Sequence, residues 1–187
     1  MLESFFQKVL ELKNIPRQGW KNKLDIDDVE SVADHSYSTA MMSMVLSDLE
    51  GLDTEKIIKM ALLHDLAESV VGDITPDKIK GERKINIENK AMIQILENLP
   101  SNVSQQYIVL WNDFQKNSSK EANLLHEIDK LEMAFQAKFY LDEGISKEKL
   151  RSFFKTANNE IRNKQLRDIL SSILESVSYT HLRAHET

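Results

Sequence analysis

The residues least at home in their surroundings lie in the run Ala61-Leu62-Leu63-His64-Asp65-Leu66-Ala67-Glu68. Three ionisable groups interrupt an apolar helical pattern, and such groups are costly to bury without partners. On a helix His64 and Glu68 share a face, with Asp65 about 100° away. A divalent cation is an economical partner, because it neutralises carboxylates and accepts a neutral imidazole lone pair. The alternative is a hydrogen-bonded core histidine flanked by solvated acids. Two further positions bear on that choice. His35, in Ala33-Asp34-His35-Ser36, shares a face with Ser38, Thr39 and Met42, and on its own reads equally as a satisfied core histidine. Asp129 falls in the stripe Leu125, Ile128, Met133, Phe135 and Gln136, where an unpaired carboxylate is out of place unless it is a surface acid beside Lys130. His126, one turn earlier, is a lesser candidate. Together His35, His64, Asp65 and Asp129 make two imidazoles and two carboxylates from three helices. That set leaves octahedral positions for water and suits one divalent Mn, Co, Fe, Ni or Zn ion better than Ca or a purely structural zinc.

The chain that must position these groups has 187 residues and a mass of 21.6 kDa, the size of one domain. Its 41% hydrophobic and 29% charged content is that of a globular protein. The absence of cysteine excludes disulfides, thiolate-held zinc, iron–sulfur clusters and a thiol nucleophile. A net charge of −6 argues against a nucleic-acid polymer as partner, but not against a small anion held by local cations. No run of 18 apolar residues predicts a membrane span. Residues 1–13 are amphipathic, with acids at Glu3 and Glu11, unlike a secretory signal, so a cytoplasmic location is expected.

The periodicity is helical almost throughout. Leu2, Phe5, Phe6, Val9, Leu10 and Leu12 mark a first helix ended by Asn14 and Pro16, and residues 14–30 read as a loop. A second helix spans about 31–50, with Tyr37, Met41, Met44, Val45 and Leu49 at helical spacing and Gly51 as its stop. Thr54 reads as the N-cap of a third helix reaching about Val70, broken by Gly72. A turn or short helix at 75–80 follows, then helices over 82–99, 101–114, 120–142, 146–157 and 159–177. The expectation is an all-α single-domain bundle of about seven to nine helices over 1–177. Residues 178–187 break the pattern and read as a disordered or non-native tail, or else as a metal-binding tail through His181 and His185.

The order His, His-Asp, Asp resembles that of the HD-domain metal-dependent phosphohydrolases. The words Ser31-Val32-Ala33-Asp34-His35-Ser36, Leu63-His64-Asp65-Leu66-Ala67-Glu68, Gly72-Asp73-Ile74-Thr75-Pro76 and Glu127-Ile128-Asp129-Lys130-Leu131-Glu132 are similar to those of its 5′-deoxynucleotidase-like branch. The resemblance covers most of residues 15–140 and implies that His35, His64, Asp65 and Asp129 hold the metal between three helices. It implies Glu68 as the group that orients or deprotonates the attacking water, and Asp73 as an acid near the leaving 5′-oxygen or the sugar, although Asp73 alone also reads as a turn residue. The segment Ile15-Pro16-Arg17-Gln18-Gly19-Trp20 looks like the phosphate- and sugar-contacting loop of the branch. Arg17 offers a planar fork for phosphate oxygens. In bacterial members the Arg and Trp are adjacent, whereas Gln18 and Gly19 intervene here, so Trp20 stands between a sugar contact and a core aromatic. Lys78 and Lys84 are candidate phosphate contacts or simply solvated.

What the resemblance implies is a hydrolase converting deoxyribonucleoside 5′-monophosphates to deoxyribonucleoside and phosphate. Other chemistries of the superfamily, triphosphohydrolase or guanosine-tetraphosphate hydrolase, and a degenerate binding module are the alternatives. The resemblance also implies a homodimer, with apolar residues of 103–114 and 150–170 as candidate interface.

Overall fold

The computed structural model describes residues 2–75, 78–79 and 81–183. The described chain is all-α, as expected. Nine of its α-helices have seven or more residues, and a tenth is a single turn. The chain divides into two compact units, residues 1–125 and 126–187.

The first unit begins with α1 (Leu2–Glu11) and a 3-10 turn (Leu12–Asn14). Of the apolar face expected here, Leu12 is buried and Phe5 packs on the core, while Leu2, Phe6, Val9 and Leu10 stay exposed. The segment read as a loop contains a helix, α2 (Gln18–Leu24), which ends at Asp25 in the left-handed conformation. Its pattern was hidden because a two-turn helix offers only two buried positions, Trp20 and Leu24.

Ser31 and Asp34 form a reciprocal capping box at the start of α3 (Val32–Glu50), and Gly51 stops that helix at φ +67°. This places His35 in the first full turn. His35, Ser36, Thr39, Ala40, Ser43 and Ser47 are buried, whereas Tyr37, Met41, Val45 and Leu49 are exposed. Side-chain size at a helix contact sets the interaxial distance, and α3 packs on α4 (Thr54–Leu63) through this small-residue face, with Ser47 Oγ 3.0 Å from Thr54 Oγ1. Asp53, not Thr54, caps α4, its carboxylate accepting from Lys56 N at 3.0 Å.

The third helix also stops earlier than its periodicity suggested, at Leu63. Residues 64–67 form turns leading into α5 (Glu68–Val71), and Gly72 leaves at φ +74°. In the segment expected as a turn or short helix, Lys78 N donates to Thr75 O at 3.0 Å, and Pro76, Asp77 and Lys80 lie outside the described residues. The helices α6 (Glu82–Leu96) and α7 (Ser101–Lys116) complete the core, in which Leu12, Val32, Leu63, Leu66, Met92 and Trp111 are buried.

The helix α8 (Lys120–Asp142) runs from the first unit into the second, which also holds α9 (Lys147–Glu160) and α10 (Lys164–Arg183). Glu127 accepts from Arg162 N at 2.7 Å and Asn163 N at 2.6 Å, tying α8 to the start of α10. The apolar residues of 150–170 are interior, with Leu150, Phe153, Phe154, Ile161, Leu166 and Leu170 buried, so they are not free to form an interface. The helical backbone continues to Arg183. His185 lies outside the described residues.

Candidate metal centre and acidic cluster

The early end of α4 decides the geometry of the site. Leu66 N bonds Leu63 O, Glu68 N bonds Asp65 O and Ser69 N bonds Leu66 O, all at 3.0–3.1 Å and all three residues back. Such winding makes about three residues per turn and aligns i with i+3. Glu68 is therefore stacked on Asp65 rather than on His64, correcting the helical-face argument from the sequence. Leu63, Leu66 and Ala67 anchor the turn in the core, leaving the polar residues between them to face inward.

His35 is fully buried and His64 is 5% exposed. Their Nε2 atoms lie 3.3 Å apart. Asp65 Oδ2 is 3.6 Å from His35 Nε2 and 3.3 Å from His64 Nε2. His64 Nδ1 is 2.5 Å from Ala61 O. A carbonyl only accepts, so Nδ1 carries the proton and Nε2 of the neutral ring presents a lone pair. The Phe114 ring stands edge-on to His64, with centroids 5.7 Å apart, and limits its rotation. Two buried imidazoles and a half-buried carboxylate aimed at one another are a set that could hold a metal ion, with the ring orientation set by a backbone carbonyl.

Glu68 is 3% exposed, and its Oε2 has no hydrogen-bond partner. Burial first, then the charges of Asp65 and Asp73, push its carboxyl well above the usual carboxylate range, while Arg17 and Lys84 pull it down. Arg17 Nη1 bonds Asp65 Oδ2 at 3.1 Å. Asp73 does not fold back on its own turn: its Oδ2 accepts from Gln18 N at 2.7 Å, at the start of α2. Lys84 on α6 pairs with Glu88 at 3.4 Å. Burial raises the Glu88 carboxyl, with Lys84 opposing and the charges of Asp65 and Asp73 adding to the rise. The first unit thus brings together His35, His64, Asp65, Glu68, Asp73, Arg17 and Lys84.

Trp20 is 2% exposed, and its indole N–H donates to Glu30 Oε1 at 2.6 Å. Of its two readings the structure takes the core one, correcting its assignment as a substrate contact: a ring enclosed by protein has no face open to a sugar. Lys78 is exposed. Asp129 is half-buried on α8 in the second unit, with Lys130 Nζ at 2.8 Å, and His126 is half-buried one turn before it. Sequence reasoning passed over Glu30 and Glu88. Glu88 carried a signal, its i, i+4 spacing from Lys84; Glu30 looked like any loop acid.

A helical fold holding a His, His-Asp cluster beside a buried glutamate defines a class of metal-dependent hydrolases. The chain belongs to the HD-domain family, whose model, described as "HD domain", matches residues 9–169. It is 34% identical over 184 residues to the human 5′-deoxynucleotidase HDDC2, covering 98% of this chain and 89% of that one. It is 39% identical over 170 residues to the 5′-deoxynucleotidase HDDC2 of Dictyostelium discoideum, covering 85% and 89%. A crystal structure of a protein from Pyrococcus horikoshii OT3 superposes with a TM-score of 0.74 at 34% identity, over 92% of this chain and 98% of that one.

Proposed function

We propose that this chain is a metal-dependent phosphomonoesterase that hydrolyses deoxyribonucleoside 5′-monophosphates to deoxyribonucleoside and inorganic phosphate. The observation that carries the reading is the convergence of His35, His64 and Asp65 beside a buried Glu68 with an unpartnered oxygen. The relatives named 5′-deoxynucleotidase support the substrate class.

His35, His64 and Asp65 would hold one divalent ion of the Mn, Co, Fe, Ni or Zn type, and the family resemblance adds Asp129 of α8 as the second carboxylate. When bound, the ion polarises a phosphoryl oxygen and acidifies a bound water. Glu68 takes the proton from the attacking water as the new P–O bond forms. Its raised proton affinity is in the sense that a proton-accepting group needs. The P–O5′ bond then breaks, and the leaving 5′-oxygen takes up a proton, with Asp73 the acid assigned to that end of the reaction. Arg17, beside Asp65, supplies the planar fork for the phosphate oxygens, and Lys84 adds charge. Lys78 has no structural support beyond exposure.

The test is phosphate release from the metal-loaded protein across the deoxy- and ribonucleoside monophosphates, with elemental analysis of the bound metal. Orthophosphate from the deoxy monophosphates is expected. Tripolyphosphate or pyrophosphate released from other nucleotides would place the chain in a different branch, and no metal and no turnover would leave a binding module.

A cytoplasmic location belongs to the same reading, since the substrate is an intracellular metabolite; among the described residues no helix is long and apolar enough to cross a membrane. So does a homodimer. Tyr37, Met41, Val45 and Leu49 form an exposed apolar row along α3, and one such row can meet its own copy across a two-fold axis. Val45→Glu should then halve the mass measured by light scattering.

A further inference from the structure

The proposed mechanism needs Arg17 at a fixed place, yet its surroundings provide little regular structure. α2 has seven residues, too few to be stable alone, and Arg17 at its N-cap makes no side-chain capping bond. The segment is instead tied at several points. Val32 N bonds Ile15 O at 2.8 Å, and Arg17 N bonds Glu30 O at 3.0 Å. Gln18 N bonds Asp73 Oδ2 at 2.7 Å, and Trp20 Nε1 bonds Glu30 Oε1 at 2.6 Å. Glu30 appears twice. Its carbonyl holds the backbone of Arg17, and its carboxylate holds the first turn of the helix that Arg17 opens. The ring it grips is buried, while Glu30 itself is half-buried, so the bond is partly screened from water. A Glu30 carboxylate oxygen also lies within 4.8 Å of a His35 ring nitrogen.

We infer that the Trp20–Glu30 pair is a positioning device that sets Arg17 for phosphate binding. Trp20 acts through Arg17 and touches no substrate. This rests on the proposed phosphatase reading only in taking phosphate as the ligand of Arg17.

The test is a double-mutant cycle of Trp20→Phe with Arg17→Ala in the metal-loaded protein. Phenylalanine keeps the buried ring and removes the N–H. Trp20→Phe should raise KM for the deoxynucleotide, and the inhibition constant of inorganic phosphate, about five- to tenfold, the effect of one ordinary hydrogen bond, with metal content and kcat close to wild type. In the Arg17→Ala background the same substitution should change neither constant more than about 1.5-fold, because coupled residues are non-additive. An equal factor in both backgrounds, or unchanged constants in Trp20→Phe alone, overturns the inference. If Trp20→Phe does not fold, Glu30→Gln carries the same cycle; it keeps an acceptor oxygen and removes the charge, and a smaller rise in KM is expected. If wild type releases no phosphate from any nucleotide, the functional reading fails, and titration with inorganic phosphate still decides the role of the pair.

Discussion

Two groups of acids in the first unit illustrate opposite uses of burial. On one side of α4, Lys56 Nζ lies 2.8 Å from Asp113 Oδ2 and 3.2 Å from Glu121 Oε2. Burial alone would raise Asp113, but hydrogen bonds from Lys56 and Ser119 and the Lys56 charge leave it below its usual range. Glu121 follows the same pattern: burial raises it, and backbone hydrogen bonds together with Lys56 lower it further. Lys56 is raised in turn, its two partners outweighing burial. At the end of the same helix, Asp65, Glu68 and Asp73 face one another, and Glu68 is driven up. The first group ties α4 to α7 and α8 and stabilises the fold. The second holds negative charge in excess, and a cation resolves it. Perturbation by itself does not mark a functional site; an upward shift among clustered carboxylates beside two histidines does.

Removing a ligand breaks the contrast most severely. Asp65→Asn should lose the metal in elemental analysis and reduce phosphate release to background, whereas full metal occupancy would reject the assignment. Glu68→Gln should keep metal and KM and lose about 10²–10⁴ in kcat, since an amide takes no proton. The same variant should unfold at an equal or higher temperature when metal-free, because a charge that burial opposes has been removed. Near-wild-type turnover with metal in place would remove Glu68 from the mechanism.

Lys56→Met should act in the opposite sense. It leaves two half-buried acids without their cation, costing about 1 kcal/mol in denaturant unfolding, with KM and kcat unchanged. Asp113 and Glu121 have lowered proton affinities, so their contribution is present above the ordinary values of 3.8 and 4.5 and is lost as pH falls below them. The stability gap between wild type and Lys56→Met should therefore close below about pH 4; a gap constant with pH would mean that packing of the Lys56 stem, not its charge, is what matters. Comparable in size is Ser31→Ala, which removes one half of the α3 capping box and should cost about 1 kcal/mol, with full metal occupancy retained. A larger loss, with metal released, would mean that the cap positions His35 as well as starting its helix.

Sequence spacing went astray in the local winding. Helical spacing put Glu68 on the face of His64, and the three-residue turns after Leu63 put it over Asp65 instead. The same limit applies to α3, where Tyr37, Met41, Val45 and Leu49 stand at helical spacing and are exposed. Periodicity reports that a helix has two faces; which one is buried depends on what packs there, and α4 selected the face with small residues.

Residue type and local order were sufficient for the all-α class, the stop at Gly51, and the nomination of His35, His64, Asp65 and Glu68, because each depends on neighbours within a turn or two or on chemistry that an apolar helix cannot tolerate unpaired. Tertiary structure alone decided that His64 presents Nε2, through its bond to Ala61 O; that Asp73 reaches Gln18 N across 55 residues; and that Trp20 is enclosed with Glu30. Those outcomes depend on which distant groups come within about 3 Å, and hydrogen-bond geometry falls off too steeply with distance and angle for sequence spacing to determine it.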